Sequence, residues 1–276
     1  MKEKLSVTIM RHLVLLSFCL IAIYPVINVF SISIRPGDRL RSTDLSVIPD
    51  NWTLDSYVHL FTEQPFLRWL ANSLIVSVSV TALGVTLAAI GGYSLSRFRF
   101  VGRGASMLSI LTTQMFPATM LLLPLYVLIA KLNLVNTFFG LLIFYTATAL
   151  PFCLWQMKGF YDTIPISLEE AARIDGCSRW KTFYRVALPL AVPGLVITAL
   201  FSFMTAWSEY IVAAQVLQES DMYTLPIGLK SFEQTLSTQW GLYAAGSILV
   251  SLPVVVVFTM LSRYLVSGLT IGAVKE

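Results

Sequence analysis

Apolar residues run along this chain in long blocks separated by polar stretches. A segment of about 20 apolar residues crosses a hydrocarbon core about 30 Å thick. Six blocks reach that length, at roughly 11–33, 71–95, 105–129, 136–158, 187–212 and 241–266. The pattern predicts an all-α membrane protein with six transmembrane helices. Two stretches, about 35–70 and 213–240, are too polar to span and are expected as external loops, the first with interfacial helix turns. A third, about 159–186, joins the fourth and fifth blocks. No repeat of 20 to 50 residues and no low-complexity linker interrupts the sequence, so residues 1–276 are expected to form a single transmembrane domain. Pro117 and Pro124 fall inside the third block, where each removes a backbone donor and is expected to kink the helix, either near a pathway or as a plain packing kink.

Composition supports the bilayer reading: 56% of residues are hydrophobic and 12% charged, and the mean hydropathy is +0.75. An even number of spans puts both termini on one side, and the basic residues choose the side. Thirteen of the 19 Lys and Arg, from Lys2 and Lys4 through Arg97, Arg99, Arg103, Arg173 and Arg179 to Arg263 and Lys275, fall on the side of the termini and the 159–186 loop. Both ends are therefore expected in the cytoplasm. The net charge of +4 follows from this bias and does not indicate a nucleic-acid partner. The run after Lys4 is long and ends at Ile34-Arg35 without a small-residue cleavage site, so it is read as a retained first helix. Cys19, Cys153 and Cys177 form no disulfide pattern.

The 159–186 loop carries the chain's most specific pattern: Glu170-Ala171-Ala172-x-x-x-Gly176, then Val186-x-Leu188-Pro189 after nine residues. Ser167 with Glu170 reads as a capping box starting a helix of about two turns that runs to Asp175. Gly176, free to take positive φ, is expected to stop it. Ser178 is expected to cap a second short helix through Trp180, Phe183 and Tyr184, and Pro189 to open the next segment. Small residues beside Glu169 and Glu170 would let a partner approach closely. The competing reading is an ordinary amphipathic connector lying on the bilayer surface.

With Glu170, Ala171, Ala172, Gly176, Leu188 and Pro189 in place, the chain resembles the carbohydrate branch of ABC-importer permeases, especially the MalG-type subunit of maltose and maltodextrin systems. Val186 stands where that family's pattern has Ile. Asn72-Ser73, Gln114-Met115-Phe116-Pro117-Ala118 and the ending from Leu265 to Lys275 extend the likeness over almost the whole chain. The resemblance implies a permease in a bacterial-type inner membrane, paired with a second homologous permease and two ATPase subunits and fed by an external sugar-binding protein. Glu169, Glu170, Ala171, Ala172, Asp175, Gly176, Leu188 and Pro189 would couple it to the ATPase. It also implies that the 218–240 segment touches the binding protein and that the tail from Gly268 reaches the ATPase interface. ATP and Mg would sit on the ATPase; this chain has no phosphate-cradling G-x-x-x-x-G-K-[ST] loop and is expected to bind no cofactor and no metal.

Polar side chains within apolar spans face a cavity or a partner helix, because they are costly in lipid. Asn72, Gln114, Gln156, Trp207 and Glu209 are the candidates for a substrate path, with Thr112, Thr113 and Ser208 beside them. Neutral amides with aromatic rings suit an uncharged, polyhydroxylated solute. An interhelical hydrogen bond is an equal reading for Gln114, and simple pairing or hydration for Glu209. Two alternatives stand beside a sugar importer: a permease for another solute, and a secondary transporter, which needs charged relay residues in mid-membrane. A membrane-embedded enzyme would need a nucleophile with a base, or a metal cluster, and two distant histidines with three scattered cysteines supply neither.

Overall fold

The structure, a computed structural model, describes residues 5–37, 48–233 and 238–273, with the backbone alone for residues 5, 118–119 and 263–273. Among the described residues the chain is helical and contains no strand. The tail from Gly268 thus lies outside the described side chains, and residues 234–237 of the expected external loop outside the described residues altogether.

The long helices are α1 (Leu5–Ser33), α3 (Phe66–Arg97), α6 (Phe138–Thr163) and α13 (Trp240–Ala273), with the short α2 (Asp55–Thr62) between the first two. These four are long and apolar enough to cross a membrane, and counting a bent pair in the fifth block as one span brings the number to five. Each extends beyond its predicted block at one end or both, because residues such as Phe66, Trp69, Tyr161 and Trp240 continue the helix into the polar flank.

The third block differs from expectation. It is two helices, α4 (Arg103–Thr113) and α5 (Ala118–Lys131), rather than one kinked span. Pro117, at φ −57° and ψ 130°, is the residue before α5, so the chain leaves the helix at Gln114 and starts again. Proline also disfavours the helical conformation in the residue before it, which explains why the break opens on the N-terminal side of Pro117. Pro124, by contrast, lies inside a continuous α5.

The fifth block is also interrupted. After the 159–186 loop come α7 (Ile166–Ile174), α8 (Arg179–Thr182), a π-helical turn (Phe183–Ala187) and α9 (Leu188–Leu190), followed by α10 (Val192–Ser208). The axis turns by 75° between the stretch ending at Leu190 and α10. Pro193, in the first turn of α10, lacks the N–H that would bond the carbonyl four residues back, so the bend falls at Ala191 rather than at Pro189.

Contacts divide the chain into two compact units. The first comprises Met1–Leu67 with Gly228–Leu252. Within it Tyr57 meets the Ser33 hydroxyl at 2.9 Å, Phe61 sits edge-on to Phe66, and Leu60 is fully buried. Helix α1 buries none of its apolar span, leaving a surface suited to lipid.

The second unit comprises Arg68–Ile227 with Pro253–Glu276. One of its cores gathers Val76, Val80, Phe144, Tyr145, Ala213 and Val216; the other gathers Ala88, Tyr93, Cys153, Met157, Tyr161, Phe183 and Ala187. Cys153 is thus a packing residue. At Gly92, α3 comes so near α6 that a Cβ would fall 2.8 Å from the Met157 Cβ and 2.9 Å from the Lys158 amide nitrogen.

The 213–240 segment is not a plain loop. It continues as α11 (Ile211–Val216), a 3-10 turn (Ser220–Met222) and α12 (Leu225–Lys230). Val216, Leu217, Leu225 and Ile227 are buried, so apolar residues interspersed among its charges fold it back onto the helices of its own unit. The head of α3 holds it there. Asn72 donates to the main-chain carbonyls of Asp221 and Tyr223, both at 2.9 Å, and the Trp69 indole to that of Ser220 at 3.0 Å. The Ser73 hydroxyl accepts from the Leu225 amide, and Arg68 pairs with Asp221 at 2.9 Å.

Candidate coupling site

Helix α7 begins at Ile166, with Pro165 in the capping position and no side-chain cap. The expected capping box therefore does not form: Ser167 lies inside the first turn. Pro165, at φ −58° and ψ 128°, sets the start one residue before Ser167 because its ring fixes φ and the orphan N–H it lacks needs no partner. The other end follows expectation. Gly176 adopts φ +83°, its amide donates to the Arg173 carbonyl at 3.1 Å, and the Cys177 amide donates to that of Ala172 at 3.0 Å. This paired closure is the Schellman arrangement, which a left-handed glycine permits without steric cost. Ser178 then caps α8, accepting from the Lys181 amide.

The two glutamates of the loop face opposite ways. Glu169 is buried, and its Oε1 meets the Arg97 Nε at 2.7 Å while its Oε2 accepts from the Tyr93 hydroxyl at 2.7 Å. Arg97 also donates to the Ile164 carbonyl at 2.9 Å and to the Ser96 hydroxyl at 3.2 Å. Ser96 in turn donates to Asp162, which pairs with Lys158 at 2.5 Å. Tyr93 and Arg97, one helical turn apart on α3, therefore clamp α7 to the ends of two long helices. Aromatic packing backs the clamp: Tyr93 lies edge-on to Tyr161 and 4.8 Å from Phe183.

Ser167, Glu170, Ala171 and Ile174 are exposed and, spaced three and four apart, form one stripe along the outer face of α7. Ile174 is 87% exposed at the end of that stripe. Ala172 is half-buried, Asp175 and Pro189 are exposed, and Leu188 packs against the core containing Tyr93. The sequence reading missed Tyr93, Ser96, Arg97 and Asp162. Arg97 was visible as a basic residue closing an apolar run, but was read only as a marker of topology.

The structure gives the candidate path residues separate surroundings. Asn72 holds the 220–225 segment. Gln114 sits in the break between α4 and α5 and reaches the Thr148 carbonyl at 3.3 Å, while Gln156 is half-buried on α6. Trp207 is buried and stacked on Phe203 at 5.4 Å. Glu209 accepts from the Tyr145 hydroxyl at 2.8 Å and from the Val212 and Ala213 amides at 3.0–3.1 Å, closing the start of α11. Thr112, Thr113 and Ser208 bond carbonyls of their own helices.

The long apolar helices, with a small helix clamped to the ends of two of them, define an integral membrane protein. The chain belongs to the family of binding-protein-dependent transport system inner membrane components, the permeases of ABC importers, whose model matches residues 81–271. It is 36% identical to the maltodextrin transport system permease protein MdxG of Bacillus subtilis over 97% of this chain and 96% of that one. It is 35% identical to the inner membrane ABC transporter permease protein YcjP of Escherichia coli over 94% and 93%. Its fold matches a bacterial ABC transporter involved in the import of the acidic polysaccharide alginate, with a TM-score of 0.83 and 25% identity over 96% of this chain and 99% of that one. A permease of this family is not itself a catalyst; ATP hydrolysis belongs to a separate subunit.

Proposed function

We propose that this chain is a transmembrane permease subunit of an ATP-driven sugar importer, that α7 is its docking element for an ATPase, and that its two compact units serve as a single permease domain. The carrying observation is the opposition on α7: Glu169 anchors the helix inward through Arg97 and Tyr93, while Glu170, Ala171 and Ile174 present a small-residue stripe outward. A partner gripping that stripe moves the ends of α3 and α6 with it. On this reading the broken α4–α5 pair and the bent α10 each cross the bilayer, giving six crossings with both termini cytoplasmic, which the distribution of basic residues favours.

The assembly contains a second homologous permease, two ATPase subunits carrying ATP and Mg, and an external binding protein. Relatives named for maltodextrin, diacetylchitobiose and arabinooligosaccharides support an oligosaccharide or other small glycoside as the solute. The contacts of Glu209 argue against a secondary transporter, because the carboxylate best placed for a relay is held by Tyr145 and two backbone amides.

Mild-detergent copurification tests the reading. An ATPase and a second permease are expected with the wild-type chain, and the ATPase is expected to be lost from Glu170→Ala and Gly176→Asp. A chain that purifies alone and transports solute unaided overturns it.

A further inference from the structure

Four arginines, Arg97, Arg99, Arg173 and Arg179, and one carboxylate, Glu169, line a cavity of about 370 Å3 between the end of α3 and the helices α7 and α8. Glu169 is engaged by Arg97 and Tyr93. Arg173 reaches only the Glu169 main-chain carbonyl at 3.4 Å, and the Arg179 guanidinium lies 5.7 Å from the centre of the Phe98 ring. Asp162 is held by Lys158 and Ser96, while Glu170 and Asp175 are exposed. The walls therefore carry an excess of three positive charges. Thr182, also in the wall, is 1% exposed, and its hydroxyl has no hydrogen-bond partner.

A second cavity, of about 180 Å3, shares Tyr93, Phe98 and Arg179 with the first and continues along Ile90, Trp180 and Phe183. Its lining is mainly apolar, and Ile90, on the long apolar helix α3, is 40% exposed. A basic cavity beside an apolar one, the two sharing three wall residues at the end of a long apolar helix, has the chemistry of an amphiphile's two halves. Basic pockets beside spans on the cytoplasmic side bind anionic lipid headgroups.

We propose that these adjoining cavities bind one anionic phospholipid, its phosphate among Arg99, Arg173 and Arg179 and the start of an acyl chain along Ile90, Trp180 and Phe183. Occupancy would link the inward face of α7 to the lipid composition of the surrounding leaflet. The cytoplasmic placement rests on the orientation given under Proposed function; the cavities themselves do not.

The test uses the full chain with its copurifying partners, reconstituted in phosphatidylcholine with phosphatidylglycerol added, and measures the phosphatidylglycerol retained after washing in detergent. Arg99→Gln and Arg179→Gln are each expected to weaken retention about five-fold. Trp180→Ala should weaken lipid retention as well, whereas Arg185→Gln, an exposed cation outside both cavities, should match wild type. Equal retention by all variants overturns the proposal. Inorganic phosphate displacing the lipid with equal affinity also overturns it, by showing a phosphate site without a hydrocarbon half. Loss of the ATPase from Arg99→Gln and Arg179→Gln with lipid retention unchanged overturns it too, by assigning the cavity to a partner's carboxylate. A wild-type chain that brings no ATPase defeats the proposed function instead, and its lipid retention remains measurable.

Discussion

Arg97 and Glu169, separated by 71 intervening positions in sequence, meet at 2.7 Å with side chains only 8% and 5% exposed. This ion pair is the side-chain joint between the long helix α3 and the short helix α7. Removing one member leaves a buried charge unpaired, a change that costs about 3–5 kcal/mol, whereas removing both is far milder. Arg97→Met is therefore expected to lower stability strongly and Arg97→Met with Glu169→Met to recover most of the loss. Heating the detergent-solubilised protein and measuring the folded fraction by size exclusion checks this; equal loss in the single and double variants would show that the pair is not the joint.

Tyr93→Phe removes one charge-assisted hydrogen bond to Glu169 while preserving the ring packing against Tyr161 and Phe183. The expected cost is about 1.5–3 kcal/mol, smaller than that of Arg97→Met. Measured by the same thermal assay, a Tyr93→Phe variant as unstable as Arg97→Met would contradict this ranking.

Gly176 at φ +83° has open space around the position of a Cβ, so a side chain there is opposed by backbone conformation alone. Gly176→Ala is expected to cost about 1–2 kcal/mol and Gly176→Asn less, since asparagine visits the left-handed region more readily. ATPase activity stimulated by the assembled permease should fall in the same order; equal effects of the two substitutions would point to a steric role in docking.

Asn72→Leu keeps much of the side-chain volume but withdraws both hydrogen bonds from the Asp221 and Tyr223 carbonyls. The 220–225 segment should then be cut faster by protease while the apparent affinity for solute stays unchanged. A shift in solute affinity with no change in proteolysis would instead support the place of Asn72 on the substrate path.

Much of this arrangement was legible in the sequence. Gly176 and Ser178 declared their roles because turn and cap chemistry is local, and the four long helices declared themselves by length and apolarity. Ser167 misled because its spacing to Glu170 fits a capping box, while Pro165 two positions earlier competes for the same boundary. The internal structure of the 213–240 segment was less legible, because its charges are spread among apolar residues and its partners, such as Asn72 and Ser73, lie about 150 positions away. Arg97 illustrates the general difficulty: its charge was plain, but its pairing with Glu169 depends on how α3 and α6 come together.

The absent side chain of Gly92 bears on mechanics. With the backbones of α3 and α6 this close at Met157 and Lys158, the two helices have no cushion of side-chain rotamers between them and resist sliding past each other as a stiff bracket does. If α7 is the docking element proposed above, a pull delivered through it meets its compliance further along, at the 75° elbow around Ala191, where a proline has already removed a stabilising hydrogen bond. On that reading the missing methyl group makes one end of the permease a lever and leaves the elbow as its fulcrum.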